Sequence, residues 1–211
     1  MKSLLLFPAL LFALVVVSSC SFYPDDYEIN SEQLVDITKY DVNADFSSFR
    51  TFAIADSVSL IKDGDSTRLS TPEARQIIDR IVKNMQDRGY ARVGRTEEPH
   101  LGINVAAIEV TSVYYYPGWY WDYYAYYDPW YWGYPEYNYW YPYYPPVVNY
   151  YASGTLVIDL LDLKNAPAHN NKLYLIWTAY IRGLMNGTHT SQQILENIDQ
   201  CFIQTPVLRT N

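Results

Sequence analysis

The chain has 211 residues and carries 15 Lys and Arg against 23 Asp and Glu, a formal charge of −8. That length fits one domain, and the acidic balance argues against a surface built to neutralise nucleic-acid phosphates. Apolar residues make up 49 % and charged residues 18 % of the chain, which is enough for a core and too apolar for general disorder.

Met1-Lys2-Ser3 is followed by an apolar run from Leu4 to Val17 and then by Ser18-Ser19-Cys20. A membrane-spanning helix needs roughly 20 apolar residues, so the run reads as a secretory signal over residues 1–19. Val17-Ser18-Ser19-Cys20 resembles the lipobox of bacterial lipoproteins, which implies acylation of Cys20 and tethering to a bilayer. The acyl chains, palmitate among them, would supply about 0.8 kcal/mol per buried methylene. Ser21 in place of Asp implies, by the same resemblance, the outer membrane of a Gram-negative cell, on its periplasmic or its surface side. Cys201 would then be the one side-chain thiol left, so no intramolecular disulfide is expected.

Residues 20–48 are polar and turn-rich and read as anchor and tether, with the domain proper over 49–208. Arg50–Asp56 is a short apolar strand, followed by a polar loop over 57–70. Ser70-Thr71-Pro72-Glu73 reads as a helix start, with Ser70 as cap and Glu73 reaching back. Ala74, Ile77, Ile78, Ile81, Val82 and Met85 recur at helical spacing up to Gly89, a stop signal. A strand begins at Leu101, and the slip of its inward phase at Ala106-Ala107 suggests a bulge or a strand buried on both faces. Gly154–Leu163 and Lys172–Ile181 read as two strands joined by a hairpin loop over 164–171. Thr190 and Gln193 form a capping pattern for a last helix with Ile194, Leu195, Ile198, Cys201 and Phe202 on one stripe. Cys201 is therefore expected in the core, where an apolar setting suppresses its thiolate. The expected class is α+β: a two-layer sandwich of about four mainly antiparallel strands, two helices on one face, and an irregular Tyr-rich insertion.

Tyr40-Asp41, Ala44-Asp45-Phe46-Ser47, Phe49-Arg50-Thr51-Phe52, Arg88-Gly89-Tyr90, the strand at Leu101, Gly154–Asp162 and Trp177 occur in an order that resembles the bacterial lipoprotein family catalogued as domain of unknown function 4136. The resemblance spans roughly residues 35–208 and implies an envelope lipoprotein with no assigned catalytic residues. Trp177-Thr178-Ala179 departs from it, since the family usually follows the tryptophan with a basic or polar residue and Gly. The insertion is also far more aromatic than the family leads one to expect.

For chemistry, Asp159 and Asp162 interrupt an apolar strand. Three residues apart on a strand they point to opposite faces, so they do not converge as a glycosidase pair. Asp162 is expected to cap the hairpin loop and Asp159 to sit on an exposed face; an envelope hydrolase built on these carboxylates is the alternative reading. His100, His169 and His189 lack metal-ligand spacing, and no cofactor motif is present. Gly187-Thr188-His189 is more simply a helix cap than a nucleophile with its base.

The insertion, residues 113–151, contains 17 Tyr, 5 Trp and 6 Pro, and its charges are Asp122, Asp128 and Glu136. No Lys or Arg occurs from Thr96 to Leu163. The prolines block long regular elements, so the segment is expected as an arm or flap at one end of the sheet. Each Tyr or Trp carries about 150–250 Å² of surface, too much for all of them to be buried. The candidate binding residues are Trp119, Trp121, Tyr124, Trp130, Trp132 and Trp140, acting as a contact surface for glycan or another envelope protein. A flexible low-complexity loop and contact with the membrane interface are the competing readings. A single-stranded nucleic-acid platform would need a basic groove that the segment lacks. The expected protein is lipid-anchored and non-catalytic.

Overall fold

In the computed structural model, residues 34–62, 65–109, 129–140, 154–184 and 189–210 are described, all within the compact unit Ser31–Asn211. Cys20, Trp119, Trp121 and Tyr124 lie outside the described residues. The strands are β1 (Val35–Tyr40), β2 (Thr51–Ile54), β3 (Val58–Lys62), β4 (Asp65–Leu69), β5 (Ala91–Arg92), β6 (Leu101–Glu109), β7 (Asn138–Trp140), β8 (Thr155–Asp162) and β9 (Lys172–Arg182). The helices are α1 (Pro72–Asp87) and α2 (Ser191–Ile203). The class is α+β, with two helices and one mixed sheet of nine strands among the described residues.

The sheet runs β1-β9-β8-β6-β2-β5, with β3 also paired to β6, β4 to β3 and β7 to β9. Its centre is antiparallel: β6 pairs β8 and β8 pairs β9, so that Asn104, Asp159 and Thr178 fall in one row across three strands. Every residue of β8 is buried, which accounts for its near-continuous apolar sequence. Along β6 the side chains alternate strictly. Leu101, Ile103 and Val105 enter one core cluster, whereas Ala106 and Ile108 enter another. A period of two sends neighbours to opposite faces of a sheet, so the two clusters occupy the two faces.

The first cluster unites Ile78, Ile81, Val82 and Met85 of α1 with Ile198, Cys201 and Phe202 of α2 and with Trp177 of β9. Pro72 stands in the first turn of α1, and Gly89 at φ +89° ends it in the left-handed region, where a side chain is strained. Thr190 and Gln193 complete a reciprocal capping box on α2. Arg80 meets Asp199 at 2.6 Å, and Asn84 Nδ2 donates to the same carboxylate at 2.7 Å, tying the helices together. The Trp177 indole donates to Thr205 Oγ1 at 2.9 Å.

The structure corrects the sequence reading at several places in the fold. Residues 35–40, placed in the tether, form β1 and pair antiparallel with β9 over six positions. Residues 58–62 and 65–69, placed in a loop, form the antiparallel pair β3 and β4, whose outer strand is almost wholly exposed and so carries no hydrophobic alternation. With β2 and β3 both parallel to β6, the sheet is mixed rather than mainly antiparallel and has more strands than four. At Ala106-Ala107 the phase slip reflects burial on both faces of β6 and not a bulge; the register shift lies instead between Leu160 and Leu161 opposite β9, where Ile176 and Trp177 both join the cluster that holds the helices. The cap of α1 is Thr71, which accepts from Ala74 N at 3.2 Å, one residue later than expected.

Candidate functional site

The second face of the sheet is where the chemistry-bearing residues gather. On β6 this face receives Gly102, Asn104, Ala106 and Ile108, a sequence too small to fill a core by itself. Trp132 fills it. This residue belongs to the aromatic insertion, whose described part, residues 129–140, is a 3₁₀ turn at Pro129–Trp132 followed by β7. The insertion is thus not uniformly irregular. β7 pairs parallel with the first residues of β9, Asn138 facing Lys172 and Trp140 facing Tyr174.

Trp132 is 6 % exposed, and its indole N–H donates to Asn104 Oδ1 at 3.0 Å. Gly102 makes room for the ring: a methyl at that position would stand 3.1 Å from Trp132 Cδ2 and Cε2 and 3.0 Å from Leu163 Cδ1. Tyr131, Tyr134, Tyr137 and Tyr139 pack partly buried around the same cluster. Tyr134 donates its hydroxyl to Leu163 O at 3.0 Å, and its ring centre lies 4.9 Å from that of Tyr137. Tyr131 is held edge-on to Trp132 at 5.0 Å and lies beneath the Arg95 guanidinium at 4.6 Å; Arg95 also donates to the Tyr131 carbonyl. Burial raises the phenol pKa of both Tyr131 and Tyr134, so both remain neutral donors at neutral pH.

Of the six aromatic binding candidates, three are described, and they divide by role. Trp132 is an anchor, whereas Trp130 is 67 % and Trp140 is 44 % exposed. The Lys172 ammonium stands 3.6 Å from the centre of the Trp140 ring, a cation–π contact that helps to position the indole.

Asp159 is fully buried, not on an exposed face as the sequence suggested. It sits between Asn104 and Thr178 in the row on the Trp132 side of the sheet, so the aromatic segment explains its burial. Asp162 does cap the hairpin loop: Oδ1 accepts from Asn165 N at 2.9 Å and Oδ2 from Asn165 Nδ2 at 2.8 Å. His169 lies 3.7 Å from the same carboxylate and stacks on Tyr174 at 3.9 Å. No group of three or more metal-ligating side chains occurs among the described residues, and no described helix is long and apolar enough to cross a membrane.

Beside the aromatic anchor opens a cleft of about 530 Å³. Its walls are Arg95, Thr96, Glu98, Pro99 and His100 from the loop before β6, Trp132, Gly133 and Tyr134 from the insertion, and Leu163, Lys164 and Pro167 after β8. His100 Nδ1 accepts from Arg50 N at 3.1 Å, which puts the neutral ring's proton on Nε2. Burial first, then the charges of Lys164 and Arg50, hold the His100 pKa below the usual imidazole range. Lys164 donates to Ser48 O at 2.9 Å. Sequence reading missed this cleft because its lining comes from three separated segments, none with a motif. The one available signal was that Arg95 and Lys164 bracket the long cation-free stretch.

Over residues 36–207 the chain matches the protein family described as Domain of unknown function (DUF4136). The crystal structure of a DUF4136 family protein from Bacteroides thetaiotaomicron VPI-5482 is similar, with 29 % identity and a TM-score of 0.69 over 84 % of this chain and 98 % of that one. A PelC dodecamer from Paraburkholderia phytofirmans aligns over 85 % of this chain and 100 % of its own, at 10 % identity and a TM-score of 0.42, a likeness too loose to bear on function. No curated protein matches the chain.

Proposed function

Because the chain belongs to the DUF4136 family, whose description assigns no function, we propose its role from the chain itself: a non-catalytic protein of the cell envelope whose aromatic insertion is a contact surface for glycan. On this reading Cys20 is acylated and holds the domain at the outer membrane, through the lipobox-like Val17–Cys20. The finer architecture belongs to the same reading: a sandwich with both helices on one face, and the insertion as a binding element over the other.

The observation that carries it is the division among the tryptophans. A merely adhesive or spacing loop needs no anchor, yet Trp132 is buried and hydrogen-bonded while Trp130 and Trp140 stay exposed on the same short segment. Seating one aromatic residue fixes the others at low entropic cost on binding. The exposed indole surface then packs on sugar C–H groups, and neighbouring phenol oxygens accept from sugar hydroxyls.

The test is binding of cell-wall and surface glycan preparations to the protein purified from membranes in detergent. Trp130→Ala with Trp140→Ala should weaken retention at least tenfold at unchanged thermal stability. Retention unaffected by the pair, or no retention by the intact protein, refutes the reading. Tight association with liposomes by protein lacking the acyl chains, without glycan binding, would assign the surface to the membrane interface.

A further inference from the structure

We propose that the cleft between the loop before β6, residues 132–134 and the start of the β8–β9 hairpin binds an acidic sugar, a pyranose bearing one carboxylate. The inference rests on the glycan-contact reading and names the class of ligand.

Charge comes first. In a chain of net charge −8, Arg95 and Lys164 both line this cleft, and neither forms an ion pair among the described residues. Each is fixed by a backbone carbonyl instead, Arg95 by Tyr131 and Lys164 by Ser48. A guanidinium has five N–H donors and an ammonium three, so both keep donors for a ligand. Exposed cations pinned to carbonyls add little to stability, whereas they are preorganised for an anion.

The size of the charge selects the anion. Glu98 lines the same cleft, and His100 is held neutral at neutral pH by its lowered pKa. The lining therefore carries one net positive charge, which balances a carboxylate and leaves a dianionic phosphate undercompensated. His100 supplies a neutral Nε2–H donor. A planar carboxylate can also take two parallel N–H bonds from Arg95.

Shape and apolar surface select the sugar. About 530 Å³ lies within the roughly 300–1,000 Å³ of small-ligand clefts. Tyr134 lines it with its hydroxyl tied to Leu163 O, which fixes this aromatic side chain at the cleft wall. Gly133, at φ +89°, has nothing within 4 Å of where a Cβ would stand, which leaves the approach open.

The experiment uses the methyl glycoside of galacturonic acid, which bears one carboxylate, and its neutral methyl ester as probes of the detergent-purified protein, by calorimetry in low salt. The acid should bind at least tenfold more tightly than the ester. Arg95→Gln and Lys164→Gln should each abolish that preference. Equal binding of acid and ester, or binding of neither, overturns the acidic-sugar assignment, whereas the glycan reading falls only if the intact protein also fails to retain the cell-wall and surface glycan preparations. Displacement of the acid by inorganic phosphate at matched concentration makes this a general anion site and also overturns the assignment. Should a variant fail to fold, the unaltered protein still decides. NMR titration of His100 should show its pKa rising with the acid bound and unmoved by the ester, and an unmoved His100 in both cases overturns the proposal.

Discussion

Gly102→Ala is the sharpest test of how the aromatic segment is held. In an unobstructed strand this change would stabilise the protein by about 0.5–1 kcal/mol, because alanine has fewer unfolded conformations to lose. Here the added methyl would lie 3.0–3.1 Å from Leu163 Cδ1 and from two ring carbons of Trp132, against an optimum of about 3.5–4.0 Å between carbons. The leucine methyl can rotate away. The indole cannot, since it is buried and tied to Asn104. Overpacking of this kind costs about 1–3 kcal/mol, so a net loss of about 1–2 kcal/mol is expected in urea unfolding at constant m-value. The double-mutant cycle with Trp132→Ala isolates the cause. Trp132→Ala alone should cost about 3–5 kcal/mol, but in its background Gly102→Ala should become neutral or stabilising, a coupling of at least about 1 kcal/mol. A penalty that persists without the indole, or no penalty in the parent protein, refutes the seating described above.

Two further outcomes follow from burial of ionisable groups. Asp36 of β1 has a carboxylate oxygen with no hydrogen-bond partner among the described residues, and desolvation pushes its pKa up to about 6. A folded pKa above the unfolded one means that the folded state holds the proton more tightly. The stability this group contributes is therefore present below about pH 4 and lost as pH rises through 6. Discounted for partial exposure, Asp36→Asn should add about 1–2 kcal/mol at pH 7.5 and nothing at pH 4; an equal gain at both values contradicts the assignment. Burial likewise pushes the Cys201 thiol far up, with Asp36 adding to the shift. Thiol reagents at pH 8 should leave it unmodified in the native protein and label it once the protein is unfolded, and rapid native labelling would refute its place in the core.

Local pattern alone determined much of this protein. The helical spacing through Ala74–Met85, the Thr190 and Gln193 box, the stop at Gly89 and the apolar runs that became β6, β8 and β9 are legible because each depends on residues within a few positions of one another. The hairpin role of Asp162 and the burial of Cys201 follow from the same local logic. Strand pairing across long separations was settled by the tertiary structure. β1 is recognisable only once β9 offers it an edge, and β4, exposed at every position but Leu69, carries no sequence signal that it pairs with β3. The candidate site belongs to this second kind. Nothing local tells Trp132 from Trp130, because the difference lies in Gly102 and Asn104, about thirty residues earlier, which provide the space and the acceptor for one indole only. Asp159 is buried for the same reason: the polar row it shares with Asn104 and Thr178 lies on the sheet face that the aromatic segment covers.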